Sequence, residues 1–309
     1  MKEESIDDVF SRRTVLPDGD ADERLARLVG IDEYIERLSK ILEMLLFPAR
    51  TEAWRKRHHP EASTIFNYAK NKYPLVIIAG DVGTGKTELS ETIGSRVARN
   101  GNLEITLFPM SLSTRGSGLV GEMTKLISFA FGYVEQECKK IAKSKDGSYR
   151  TGIILLIDEA DALAQSRDSG QMHHEDRAGV NALIRGMDLL NRQRLPVVVI
   201  MCTNRLEAID PAVARRAAET FMFERPNAKK RTAILKPALE ELGFDACQID
   251  QVVAVTGETE GRNYGYTFSD ITHRLFHAIT MSAYPDKPID FDDVLRAANQ
   301  IKPTPPFKN

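Results

Sequence analysis

Several absences narrow what this chain can be. No apolar run reaches the ~20 residues that a helix needs to cross a bilayer, and the acidic, polar N-terminus holds no hydrophobic stretch of the signal-peptide kind. A soluble, cytoplasmic protein without a membrane partner is the expectation. Cysteine is scarce: Cys138, Cys202 and Cys247 are odd in number and far apart, with no C-x-x-C spacing, so neither a disulfide framework nor a thiolate zinc site is suggested. An excess of one charge sign is also missing. The formal net charge is −2, from 42 basic and 44 acidic residues that are interspersed, so no broad basic surface of the kind that drives sequence-independent nucleic-acid binding is implied. Nucleic acid is therefore a disfavoured partner. Internal repeats and low-complexity tracts are lacking as well.

What is present is an ordinary globular composition over 309 residues, enough for one large α/β domain and a smaller second one. The chain is organised around Gly80-Asp81-Val82-Gly83-Thr84-Gly85-Lys86-Thr87. This fits G-x-x-x-x-G-K-[ST] in full, with the apolar run Leu75 to Ala79 before it and a helical pattern from Glu88 after it. In that context the glycines let backbone N–H groups and a helix N-terminus converge on phosphate oxygens. Lys86 would reach the β- and γ-phosphates, and the Thr87 hydroxyl would help hold Mg2+. ATP with Mg2+ is the cofactor reading, and Gly80 to Glu88 are its candidate contacts.

Further strands are predicted at Glu104 to Phe108, Ile153 to Ile157, Val197 to Met201 and Thr220 to Phe223. Helical patterns separate them at Glu88 to Arg99, Leu119 to Lys143 and Ala178 to Asn191. This alternation predicts a parallel five-stranded sheet covered on both faces, an αβα sandwich. Before the sheet, Asp32 to Leu46 carries apolar residues at helical spacing and Pro48 closes the pattern; the basic run Arg55 to His59 reads as a solvated turn, or a contact with a neighbouring subunit. Residues 1–24 read as a flexible arm, 25–226 as the large domain, and 227–309 as a small helical domain, with helices at Ala228 to Leu242, Ile249 to Val255, Ser269 to Tyr284 and Phe291 to Gln300.

The third of these five strands ends in Asp158-Glu159, which places two carboxylates at the edge where open α/β sheets bind ligands. Asp158 would support the metal shell, and Glu159 would polarise the attacking water. Asp161, which completes D-E-A-D, reads as a helix N-terminal carboxylate. The next strand ends in Thr203-Asn204, where the Asn204 amide would orient water or sense the γ-phosphate. His273 and His277 share a helix face and read as ordinary packing.

Together these motifs resemble the AAA+ ATPases, from about Leu28 to Pro305. The resemblance implies that Leu28-Val29-Gly30-Ile31-Asp32 lines the adenine pocket, with Gly30 and Ile31 in contact. It also implies a homo-hexameric ring in which Arg215 or Arg216, after Ile209-Asp210-Pro211-Ala212, reaches the nucleotide of the neighbouring subunit. Leu119-Val120-Gly121 falls where the family's protein-threading members carry a pore loop, with Leu119 in place of the usual aromatic. A second pore loop would be Ser169 to His174, with His173 and His174 as peptide contacts. Asp176 to Leu183 and the short Ala214 to Glu219 are similar to the pachytene-checkpoint branch, whose members remodel HORMA-domain proteins. That branch has a lid arginine where Ser269 stands here. A compact chain of this kind resembles ATPases of CBASS-like bacterial antiviral operons, which implies an ATP-driven remodeller of a HORMA-domain protein. The alternatives are a general unfoldase acting on another protein, and a DNA-associated loader or switch.

Overall fold

The computed structural model of the chain describes residues 6–112, 122–145, 147–163 and 174–307, except for the side chains of Asp7, Asp8, Ser111, Glu122, Leu163 and residues 174–177. By contact density the chain divides into two units. One comprises Met1–Ala26, Glu33–Ala79 and Thr87–Met222; the other comprises Arg27–Asp32, Gly80–Lys86 and Phe223–Asn309.

The first unit is built on a sheet of six strands: β1 (Thr14–Leu16), β2 (Leu75–Gly80), β3 (Glu104–Ser111), β4 (Thr151–Asp158), β5 (Val197–Thr203) and β6 (Glu219–Phe223). Their spatial order is β1-β3-β4-β5-β2-β6. The β3–β4, β4–β5 and β5–β2 pairs are parallel, whereas β1 runs antiparallel to β3 with Leu16 opposite Ile105. Val197 to Thr203 is buried at every position, the continuous apolar signature of a strand covered on both faces. On one face Ile77, Leu155 and Val199 pack with Phe131 of the helix Glu122–Lys140 and Met187 of the helix His174–Gln193. On the other face the helix Lys86–Gly101 comes so close that a Cβ at Gly94 would stand 2.6 Å from Leu16 Cδ1 and 3.1 Å from Ile154 Cδ1.

The sheet therefore has one strand more than the five expected, and the extra strand comes from residues read as a flexible arm. Thr14–Leu16 spans only three residues, too few for a period of two to stand out from its charged flanks. Tertiary contacts supply what the pattern lacks. Leu16 is fully buried, Val9 and Phe10 are buried, and the Phe10 ring lies 5.1 Å from that of Phe108 and 5.6 Å from that of Tyr133. Arg24 grips the helix Lys86–Gly101 through Glu88 at 2.7 Å and Glu91 at 2.6 Å, while Arg99 pairs with Asp22.

A second difference concerns the basic run near residue 55. It is not a turn: Arg55 to His58 close the helix Pro48–His58, in which no residue is buried. Pro48 opens that helix as its first residue, where a missing N–H costs nothing. Arg55 pairs with Glu52 at 2.7 Å and donates to the carbonyls of Pro60 and Ala62.

In the second unit, helices Ala228–Glu241, Ala246–Val255 and Phe291–Gln300 are each opened by a capping side chain, Asn227, Asp245 and Asp290 respectively. They enclose a core of Leu235, Leu239, Val252, Tyr266, Leu275, Ile279 and Val294. The buried Tyr266 hydroxyl is satisfied by the carbonyls of Ala298 and Ile301, 2.8 and 2.7 Å away. Asp270–Leu275 is a π-helical segment that runs directly into Phe276–Ala283.

Candidate functional site

The phosphate loop turns on residues that tolerate a left-handed backbone. Gly83 has φ of +73°, and a Cβ there would meet Thr267 Oγ1 at 2.8 Å and Ser269 Cβ at 2.9 Å, so only glycine fits. The Ser269 N–H donates to the Gly83 carbonyl at 2.9 Å. Within the loop the Asp81 carbonyl accepts from both the Thr84 hydroxyl at 2.8 Å and the Lys86 ammonium at 2.7 Å. Thr84 and Lys86 are 5% and 6% exposed, so the loop holds a buried cation at the first residue of the helix Lys86–Gly101. The positive end of the helix dipole lies there, and a phosphate supplies the charge that such a helix start favours. Leu28, from the segment expected to line the base, packs beside Gly85; Gly30 has φ of +79° with Lys230 close by.

The carboxyl ends of β4 and β5 carry the residues expected to take part in chemistry. Asp158 is fixed at both oxygens: Oδ1 accepts the Glu159 N–H at 2.8 Å and Oδ2 accepts the Thr87 hydroxyl at 2.9 Å. A hydroxyl and a carboxylate are hard oxygen donors, of the type Mg2+ takes when phosphate and water complete its shell; these two residues fit that ion. Glu159 adopts a φ of +53°, uncommon for a residue with a side chain and a form of strain that clusters at active sites. The residue stands one position past the end of β4.

At the end of β5 the structure adds to one expectation. Asp161 does lie in the first turn of a short helix, Ala160–Leu163, but its Oδ1 accepts from the Thr203 hydroxyl at 3.3 Å and from the Asn204 N–H at 3.2 Å. Its role is thus to tie the turn after β4 to the Asn204 backbone.

The two arginines expected near a neighbour's nucleotide differ. Asp210 caps the helix Pro211–Ala214 by accepting from Ala212 N at 2.7 Å, which sets both arginines at its end. Arg216 is folded back: Nε donates to Asp188 Oδ1 at 3.0 Å, Nη1 donates to the Ala212 carbonyl at 2.7 Å, and the guanidinium lies 5.4 Å from the Tyr73 ring. The Asp188 carboxylate accordingly holds its pKa above the ordinary arginine value. Arg215 is exposed; among the described residues its side chain has no hydrogen bond or ion pair. Glu88, counted with the nucleotide contacts, has its carboxylate engaged by Arg24 at 2.7 and 2.9 Å. His273 and His277 are exposed rather than packed. Leu119, Val120, Gly121 and His173 lie outside the described residues, as does the side chain of His174.

Residues 76–225 match the family described as "ATPase family associated with various cellular activities (AAA)". The chain is 51% identical to "CD-NTase-associated protein 6" of Escherichia coli strain MS 115-1 over 98% of its own length and 97% of the relative's. It is 37% identical to the protein of the same name from strain KTE188, over 96% and 97%. Among solved structures it resembles a chain of the "E. coli MS115-1 HORMA:CdnC:Trip13 complex", with a TM-score of 0.91 and 50% identity over 99% of this chain and all of that one. It also resembles "Rhizobiales Trip13", with a TM-score of 0.75 and 43% identity over 96% of this chain and all of that one.

Proposed function

Because this chain belongs to the AAA family of ATPases, we propose that it acts as a ring-shaped, ATP-driven remodeller of a HORMA-domain protein in a bacterial antiviral signalling system. The observation that carries this reading is the likeness, at a TM-score of 0.91 and 50% identity over 99% of this chain, to a chain solved within a complex that contains a HORMA component. In the proposed cycle Lys86 and the loop N–H groups from Gly80 to Thr87 take the phosphates of ATP, with Gly30 and Ile31 beside the base. Thr87 and Asp158 hold Mg2+, which when bound supplies charge neutralisation to the phosphates. Glu159 accepts a proton from the attacking water while Asn204, set by Asp161, orients it.

Arg215 serves as the finger toward the neighbouring subunit of a homo-hexamer, since Arg216 is occupied by Asp188 in its own chain. A finger of this kind contributes about 10³ to 10⁵ in rate in other phosphoryl-transfer systems. Leu119-Val120-Gly121 and His173-His174 would line the pore and grip an extended peptide. The large domain, 25–226, carries the reaction and the lid, 227–309, carries the motion, in the cytoplasm.

The test mixes the chain, ATP and Mg2+ with a HORMA-domain protein. Stimulated hydrolysis and conversion of the partner to an opened form are expected, and E159Q should hold the partner without turnover. Wild-type chain that hydrolyses ATP but neither responds to the partner nor alters it would leave an ATPase with another substrate.

A further inference from the structure

Arg225, three residues before the helix Ala228–Glu241, takes part in none of the steps above, yet its side chain is only 14% exposed. Its Nε donates to Asp81 Oδ2 at 2.7 Å, and Nη2 lies 2.6 Å from the same oxygen, out of line for a hydrogen bond. Nη1 donates to the Gly265 carbonyl at 2.8 Å, and the Tyr264 ring sits 5.1 Å from the guanidinium carbon. One planar cation thus joins the second residue of the phosphate loop to the loop that precedes the turn Thr267–Asp270.

Asp81 is an unusual residue to place in that position. A carboxylate in a phosphate loop repels the anion that the loop binds, and at the low effective dielectric of a half-buried site the repulsion is not screened away. Its side chain is 17% exposed, so water does little to quench it. The residue is also central to the loop's internal geometry: Oδ1 accepts the Val82 N–H at 2.9 Å, and its carbonyl accepts from both Thr84 and Lys86. Whatever turns the Asp81 peptide moves the acceptor of the Lys86 ammonium.

We propose that Arg225 is a positioning residue for phosphate binding: by pairing with Asp81 it cancels the loop's negative charge and orients the Asp81 carbonyl that holds Lys86, while its bond to Gly265 makes that orientation depend on the lid. A second tie acts in parallel, from Ser269 N–H to Gly83 O. The arrangement gives a lid with serine at position 269 a link to the phosphates that needs no lid arginine at that position. This rests on the reading that the Gly80 to Thr87 loop binds nucleotide.

The experiment measures binding of a fluorescent ADP and a fluorescent ATP analogue to the full chain. Wild type should bind and K86A should not; a K86A that binds like wild type would remove the phosphate-loop reading itself. R225Q should bind about tenfold more weakly, as one uncompensated charge within several ångströms implies. The loss should be larger for the ATP analogue, which carries one more negative charge, and should shrink at high salt. D81N/R225Q, with the stranded carboxylate neutralised, should recover most of the loss, which a merely structural role for Arg225 would not permit. R225K keeps the charge opposite Asp81 but not the planar fork that also reaches Gly265. It should bind more tightly than R225Q while staying weaker than wild type, which tests the idea even where R225Q folds poorly. A double variant as weak as R225Q alone, or an R225K as weak as R225Q, would overturn the proposal.

Discussion

Arg215 and Arg216 are chemically identical and adjacent, and their surroundings separate them. Arg216 has a guanidinium bound on three sides, by Asp188, the Ala212 carbonyl and the Tyr73 ring, and so contributes to the fold of its own chain. Removing it should lower stability by about 1 kcal/mol, since Asp188 is partly solvated and recovers some hydration. R215A should leave thermal unfolding unchanged while reducing hydrolysis by about 10³-fold or more. The comparison of melting curves and turnover for the two alanine variants checks the assignment; a pair in which R216A alone abolished turnover at unchanged stability would reverse it. Asp161 shows the same principle without reaching the nucleotide: its carboxylate sets the Asn204 backbone from across the end of β5.

Among the elements, the π-helical segment Asp270–Leu275 stands out, because such geometry is rare and recurs at functional sites. Its first residue is 1% exposed and collects bonds from Thr267 N at 3.0 Å, Thr304 N at 3.0 Å, Thr304 Oγ1 at 2.8 Å and Arg274 at 2.7 Å. Burial alone would push the Asp270 carboxyl up, but the bonds from Thr267, Thr304 and Arg274 outweigh it and hold the carboxyl below its ordinary value. A carboxyl depressed in the folded state stabilises the fold in full above its unfolded value near 3.9, and that stabilisation disappears as pH falls through the folded value. D270N should therefore be less stable than wild type by roughly 2 kcal/mol at neutral pH. The gap should close below about pH 4, as followed by urea unfolding across pH; a gap independent of pH would mean that shape, not charge, is what Asp270 supplies. The segment also holds the C-terminal Thr304 against the turn that touches Gly83. By contrast, the helix Pro48–His58 buries none of its residues, which is why no apolar periodicity announced it.

At the scale of the whole molecule, the contact units do not follow the chain. Gly80–Lys86 and Arg27–Asp32 group with Phe223–Asn309, although both precede it by well over a hundred positions. Anything bound to the loop therefore stabilises the unit whose core is Leu235, Val252 and Tyr266, and by linkage raises the stability of the folded chain. ADP at 100 times its dissociation constant should add about 2.7 kcal/mol to unfolding, read as a rise in melting temperature that K86A lacks. An equal rise in K86A would place the nucleotide elsewhere. By itself the sequence determined the phosphate loop, the carboxylates at the end of β4, the parallel core of the sheet and the helical character of the C-terminal unit. Each of these is written in neighbouring residues, whose spacing sets local backbone geometry and which face is buried. Tertiary structure alone decided that Thr14–Leu16 completes the sheet, that Arg216 is held in its own chain, and that Arg225 meets Asp81 across 144 positions. A side-chain pair of that kind depends on where packing brings two distant stretches together, and no local pattern encodes that distance.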